Sequence, residues 1–313
     1  MTQRSVAIVT GGGTAGHVLP ALAIAEAIVA AGHDRAAVHY IGSERGIEAR
    51  LVPPTGFPMT LLPGRGIQRR LTPANLAAIA GLVVAGFRAV AMVRRLRPSV
   101  VVAVGGYASV AVGLAAVLWR VPLVVAEQNA APGAANRLLA RFARASAVSF
   151  PDTPLPRAVV TGNPVRAEVA AIEPDRDRDA ARRAFGVGEG RRLVLVFGGS
   201  LGALRINQAV VDALPAWRDR ADLSVHHVVG ARDWDQISAA VPSELGALEY
   251  RCVRYEDDMP AALAAADLAV CRSGSGTCFE LAAASLPAVL VPSPHVTADQ
   301  QTANARRLVE AGA

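Results

Sequence analysis

The 313-residue chain is 52% hydrophobic, 19% charged and only 4% aromatic, enough material for one large or two medium domains with aliphatic, alanine-rich cores. All 32 basic residues behind the net charge of +6 are arginines, and the absence of lysine excludes a Walker phosphate loop and Schiff-base chemistry. The arginines are scattered, so a net positive charge suited to a phosphorylated or membrane partner comes without a nucleic-acid-binding arm.

The first apolar run, residues 6–10, is too short for a signal peptide and leads into glycines. From there short β-branched runs alternate with Ala/Leu-rich stretches of helical period. Strands are predicted at 5–10, 37–41, 57–62, 100–104, 121–125 and 145–149, with helices at 19–31, 45–52, 73–96, 108–118 and 133–143. Residues 99–119 carry no charge over a bilayer-spanning length, but Gly105, Gly106 and Tyr107 interrupt them, which favours strand, tight loop and buried helix. Residues 151–192, rich in proline and carrying Asp175-Arg176-Asp177-Arg178-Asp179, read as a connector followed by a solvated helix rather than a metal cluster.

The alternation then restarts, with strands at 193–197, 223–229, 248–253, 268–271 and 288–291. Helices follow at 203–214, 233–240, 258–266, 276–284 and 298–310. Two such series imply an α/β chain of two doubly wound, Rossmann-like domains, 1–163 and 164–313, with ligands at the carboxyl ends of the strands in a cleft where the domains face each other. Gly312 stops the last helix where a further strand would normally follow, so the second domain is expected to be incomplete. Cys252, Cys271 and Cys278 are odd in number and form no C-x-x-C pair, which fits buried thiols in a reducing compartment.

Four segments carry chemistry. Gly11-Gly12-Gly13-Thr14-Ala15-Gly16-His17 follows the first strand and leads into a helix with Pro20 near its start. Its glycines let backbone approach a ligand, and His17 reads either as a general base or as a helix-start residue bonding the backbone. Gly198-Gly199-Ser200-Leu201-Gly202 repeats the device in the second half and offers N–H groups to phosphate. Cys271 to Glu280 leads through Arg272, Ser273, Ser275, Gly276 and Thr277 into a helix with Glu280 in its first turn, where a carboxylate either meets ribose hydroxyls or interacts with the helix dipole. Finally Pro292-Ser293-Pro294-His295, with Gln300, Gln301 and Asn304, supplies amides suited to sugar hydroxyls or a polar helix start.

These segments, in this order, together with Gly105-Gly106-Tyr107, Glu127-Gln128-Asn129, Gly162-Asn163-Pro164-Val165-Arg166 and Tyr255-Glu256-Asp257-Asp258-Met259, resemble the MurG family, in register from residue 6 to 313. These are UDP-N-acetylglucosamine:undecaprenyl-pyrophosphoryl-MurNAc-pentapeptide N-acetylglucosaminyltransferases. The resemblance implies a GT-B fold and transfer of GlcNAc from UDP-GlcNAc to the C4 hydroxyl of MurNAc in lipid I, with inversion. That reaction forms lipid II for peptidoglycan and so serves cell shape and division. It implies His17 as base with Glu127 beside it, and Thr14, Tyr107, Glu127 and Asn129 along the acceptor, with Thr14, Gly16 and Asn129 reaching the donor. It implies Ser200, Ser275, Gly276 and Thr277 at the pyrophosphate and Glu280 at the ribose. The backbone of Glu256 would meet the uracil, Arg272 and Asn207 would shape the pocket, Gln300 and Gln301 would bind the sugar, and Arg166 would lie at the domain junction. No metal cofactor is implied. The Asp257-Asp258 pair reads as a helix start.

A lipid acceptor implies a peripheral enzyme on the cytoplasmic face of the plasma membrane. Apolar residues 76–93, flanked by Arg65, Arg69, Arg70, Arg94, Arg95 and Arg97, read either as a patch for anionic lipid or as a core helix with a solvated basic side. Arg137, Arg141 and Arg144 are spaced to share one helical face. Ala126 stands where the family usually has His, Leu201 where it usually has Gln, and family members continue past Ala313. Rival readings are another UDP-sugar GT-B lipid glycosyltransferase or the related epimerase, a non-catalytic nucleotide-sugar-binding homologue and, more distantly, an NAD-dependent oxidoreductase.

Overall fold

A computed structural model describes residues 5–63, 73–199, 202–294, 296 and 299–312, the side chains of 73–80 excepted. The chain divides into two compact units, Met1–Pro164 and Val165–Ala313.

The first unit runs β1 (Ala7–Gly11), α1 (Ala15–Ala30), β2 (Val38–Ser43), α2 (Glu48–Leu51), β3 (Met59–Leu62), α3 (Pro73–Leu96), β4 (Val100–Gly105), α4 (Tyr107–Leu118), β5 (Leu123–Glu127), α5 (Ala134–Leu139), β6 (Ala145–Val148) and β7 (Ala158–Val160). Its strands form one sheet in the order β3-β2-β1-β4-β5-β6-β7, parallel at every pairing. Alternate residues of a strand serve opposite faces. Ile8, Val101 and Ala103 pack under α3 and α4, while Val9, Val102 and Val104 pack with Val18, Ala21 and Leu22 of α1. Both faces are therefore buried, which is why these strands read as continuous apolar runs. The α3–α4 core is built from Ala85, Ala89, Ala108, Ala115 and Ala116 with aliphatic partners.

The second unit opens with α6 (Ala167–Ala170) and the solvated helix α7 (Pro174–Ala184), then runs β8 (Arg192–Phe197), α8 (Leu204–Trp217), β9 (Leu223–Val228), α9 (Trp234–Ala240), β10 (Glu249–Val253), α10 (Met259–Ala265), β11 (Leu268–Cys271), α11 (Ser275–Ala283), β12 (Ala288–Leu290) and α12 (Gln300–Glu310). The sheet order is β10-β9-β8-β11-β12, again parallel throughout. Leu193, Leu195 and Phe197 face one core and Val194 and Val196 the other.

Three expectations change. Helix α1 begins at Ala15, four residues earlier than predicted, so Pro20 lies inside it and removes one N–H from its ladder rather than opening it. Strand β7, within the proline-rich connector, was not predicted, because all three of its residues are exposed and carry no buried-face pattern. Helix α5 ends at Leu139, so Arg137, Arg141 and Arg144 do not share one helical face. Among the described residues no helix is long and apolar enough to cross a membrane. Residues 99–119 form β4, the Gly105-Gly106 turn and α4.

Candidate active site

In a doubly wound sheet the chain leaves neighbouring strands in opposite directions at one point, and ligands bind outside the carboxyl ends there. In the first unit that point lies between β1 and β4, and in the second between β8 and β11. The glycine-bearing segments fall at these two places.

At the first, Gly12 N–H donates to Gly105 O at 3.2 Å, joining the two loops. Gly105 (φ 130°) leaves room for an imidazole, since a Cβ on it would lie 2.7 Å from His17 Cδ2. His17 sits in the first turn of α1 rather than in the loop, half-buried, with Nδ1 3.2 Å from Gly12 O. A carbonyl oxygen only accepts, so Nδ1 carries the proton and Nε2 is left as the basic nitrogen. Thr14 precedes α1 and takes the N–H groups of His17 and Val18 on its carbonyl, both at 3.1 Å, while its side chain makes no cap. Thr14 and Gly16 are exposed. Tyr107 opens α4 and donates to Leu62 O at 3.2 Å, and burial holds its phenol above the ordinary range.

Glu127 departs from the expected catalytic role. It ends β5 only 2% exposed. Oε1 accepts from Asn129 N–H (3.0 Å) and Asn129 Nδ2 (3.1 Å), and Oε2 from Gly133 N–H and Asn136 Nδ2, both at 2.9 Å. A carboxylate that accepts from four donors braces its loop. Asn129 is thereby fixed on the segment following β5. Ala126 is buried and offers only a methyl group.

At the second point Gly274 precedes α11, whose first residues Ser275, Gly276 and Thr277 present N–H groups that have no partner within the helix. Helix α11 begins at Ser275, so Glu280 lies in its second turn rather than its first, and the dipole reading of this carboxylate falls away. Glu280 instead accepts from Arg166 Nε at 2.7 Å with its side chain 21% exposed, leaving one oxygen edge available. Arg272 turns back to donate to Val291 O (3.0 Å) and Pro292 O (3.1 Å), so it holds the segment after β12. Buried Ser273 donates to Gln301 O (2.8 Å), Gln301 Oε1 accepts from Ser293 N–H (2.7 Å), and Gln300 adjoins it at the start of α12.

Asn207 is fully buried. Its Nδ2 donates to Val229 O (3.0 Å) and Asp233 Oδ2 (3.2 Å), and its Oδ1 accepts from His227 Nε2 (3.0 Å). His227 Nδ1 in turn accepts from Tyr250 Oη at 2.8 Å, and burial pulls the imidazole down to about 4. The network backs the glycine turn, since a Cβ on Gly202 would lie 2.7 Å from Asp233 Oδ2. Glu256 follows β10 and carries a bond absent from the sequence reading. His226 Nε2 meets its Oε2 at 2.8 Å, while Oε1 accepts from Asp258 N–H at 3.0 Å. The tandem histidines of β9 were the available signal. Asp258 caps α10 by accepting from Ala261 N–H at 3.1 Å. Cys271 and Cys278 are buried free thiols pushed up to about 12, and Cys252 is half-buried. Ser200, Leu201 and His295 lie outside the described residues.

One further residue was missed from sequence. Glu48 is completely buried beneath the first glycine loop and takes the N–H of Gly13. Nothing in a lone Glu at the start of a short helix marks it, apart from the neighbouring Gly42 and Gly46.

Comparison with known proteins bears on both units. Residues 7–148 match the glycosyltransferase family 28 N-terminal domain and residues 193–313 its C-terminal domain. A curated protein of Salinibacter ruber is 42% identical, with 100% of this chain matched to 83% of its length. One of Frankia casuarinae is 43% identical, with 99% matched to 81%. Both are named UDP-N-acetylglucosamine--N-acetylmuramyl-(pentapeptide) pyrophosphoryl-undecaprenol N-acetylglucosamine transferase. Among solved structures, MurG of Acinetobacter baumannii aligns with TM-score 0.76 and 29% identity, over 99% of this chain and 85% of that one. A UDP-GlcNAc 2-epimerase of Neisseria meningitidis aligns with TM-score 0.60 at 11% identity over 97% and 91%, a likeness of fold alone.

Proposed function

This chain belongs to the MurG family of GT-B glycosyltransferases, and we propose from that premise that it transfers GlcNAc from UDP-GlcNAc to the C4 hydroxyl of MurNAc in lipid I, forming lipid II. The observation that carries the mechanism is His17, held at the first switch point with Nδ1 3.2 Å from Gly12 O, a bond that leaves Nε2 as the basic nitrogen of the neutral ring.

Nε2 takes the proton of the C4 hydroxyl as its oxygen bonds the anomeric carbon. The bond from that carbon to the β-phosphate oxygen breaks, and UDP leaves with the electron pair, inverting the centre. Negative charge grows on the leaving pyrophosphate, and the N–H groups of Ser275, Gly276 and Thr277 at the start of α11 stabilise it together with Ser200, so no metal is required. Glu280, oriented by Arg166, accepts from the ribose hydroxyls. The backbone at Glu256 meets uracil, and Gln300 and Gln301 meet the sugar. Arg272 and Asn207 act from behind, holding the segments that form the pocket. Thr14, Gly16, Tyr107 and Asn129 contact the substrates from the first unit, and Glu127 positions Asn129.

The acceptor's lipid calls for a membrane-facing surface, and the outer face of α3, α4 and the segment after α5 supports one. Phe87 is 75% exposed, and Val83, Val84, Leu114, Leu118 and Phe142 are exposed with it, while Ala85, Ala89 and Val93 bury the opposite face of α3. The core reading of residues 76–93 fits one face of α3, and the exposed apolar side chains on another support the lipid reading; the side chains of 76–80 and Arg65, Arg69 and Arg70 lie outside the described residues. Arg94 lies over the Trp119 ring at 5.3 Å, and Arg95, Arg137 and Arg141 are exposed. Exposed apolar side chains among guanidinium groups suit the cytoplasmic, anionic surface of the plasma membrane and no nucleic acid.

The test is transfer of labelled GlcNAc from UDP to a short-chain lipid I analogue. Wild type is active and His17→Ala loses about a hundredfold or more, the usual contribution of a general base. Transfer that survives the substitution removes His17 from the role. No transfer by a folded, UDP-binding wild type removes the reaction.

A further inference from the structure

We propose that Glu48 is a positioning residue for His17 and acts on it through a single peptide group. The inference rests on the reading of His17 as the base. Glu48 is 0% exposed, and among the described residues no cation pairs with it. A buried carboxylate without a countercharge is costly and is held only where donors surround it. Here Oε1 accepts from Ser43 N–H (2.6 Å) and Ser43 Oγ (2.5 Å), and Gly13 N–H donates to Oε2 at 3.1 Å and Oε1 at 3.3 Å. Three glycines make the room, since a Cβ on Gly12, Gly42 or Gly46 would come within 2.5, 2.6 and 1.9 Å of its side chain.

The geometry matters because Gly13 N–H and Gly12 C=O are two ends of one planar peptide. Glu48 takes the N–H of that peptide, and His17 Nδ1–H donates to its carbonyl oxygen. Negative charge at the N–H end polarises the amide and makes the carbonyl a stronger acceptor, as successive hydrogen bonds do in a chain. The sequence carboxylate, peptide, imidazole therefore does what a directly bonded carboxylate does for a catalytic histidine. It fixes the Nδ1–H tautomer, holds the ring plane and favours the imidazolium formed when Nε2 takes a proton.

The test combines kinetics with ¹⁵N NMR of the histidine-labelled chain in the absence of substrate. In wild type, at a pH where the ring is neutral, His17 is the Nδ1–H tautomer and the Gly13 amide proton is strongly deshielded. In Glu48→Gln the isosteric amide sets an NH₂ against Gly13 N–H or Ser43 N–H, and the His17 tautomers become mixed. Its kcat falls about ten- to a hundredfold with KM for UDP-GlcNAc unchanged within about twofold, less than the ~10⁴-fold loss when a directly bonded triad carboxylate is neutralised. A wild-type Nε2–H tautomer, or an ordinary Gly13 amide shift, overturns the proposal even if Glu48→Gln does not fold. A folded variant that keeps the Nδ1–H form also overturns it and leaves Glu48 a packing role. The ring signals are read without turnover, so a chain lacking transferase activity fails the proposed function while the relay is still judged.

Discussion

The two switch points are built from opposite materials. In the first unit two carboxylates are buried, face backbone N–H, amide and hydroxyl donors and, among the described residues, form no ion pair: Glu48 under the glycine loop and Glu127 behind the loop after β5. In the second unit Glu280 is partly exposed and paired with Arg166, a partner that can share it with a ligand. Buried acceptors that complete loop backbones create a rigid seat, as the base proposed at His17 requires. Exposed ion pairs are weak and exchange readily, as the nucleotide pocket proposed at Glu280 requires.

The contrast breaks most visibly if Glu127 is replaced. Glu127→Ala leaves the N–H groups of Asn129 and Gly133 without their acceptor and takes from Asn136 Nδ2 one of its three, and denaturant unfolding should show a loss of about 3 kcal/mol. A loss within experimental error would mean that water serves those donors equally well. Acid sharpens the contrast next. His227 is buried neutral, drawn down to about 4 from about 6.5. Its contribution is complete above pH 6.5 and is lost as pH falls through 6.5 toward 4, because the unfolded chain binds the proton first. Lowering the pH from 7 to 5 costs about 2 kcal/mol from this group, and amide protection factors, corrected for the slower intrinsic exchange in acid, should fall in β9 before they fall in β1. An equal fall in both sheets would place the acid response elsewhere. The smallest effect belongs to Glu280→Gln, which should raise KM for UDP-GlcNAc about tenfold at nearly unchanged kcat and melting temperature. A large drop in melting temperature would make this carboxylate structural, like its counterparts in the first unit.

Much of the fold was legible because buried parallel strands write themselves as β-branched runs between helical periods. Strand β7 was not, since Val159 and Val160 face outward beside prolines and carry no inside-outside pattern. Pro20 was misleading for a different reason. Proline is usual at a helix start, and here the helix had already begun at Ala15. At the site, glycines, His17 and the α11 turn announced themselves by residue type. The interior partners did not, because Glu48, Asn207 and the tandem His226-His227 acquire meaning only through neighbours distant in the chain, such as Gly13, Asp233 and Glu256.

The meeting of the first two loops has an evolutionary corollary. A Cβ on Gly106 would lie 2.5 Å from the carbonyl oxygen of Gly12, so backbone rests on backbone with no side chain between them. Such a contact offers mutation no gradient. A descendant can exchange Thr14, which is exposed beside the seam, but the seam itself is inherited whole or lost.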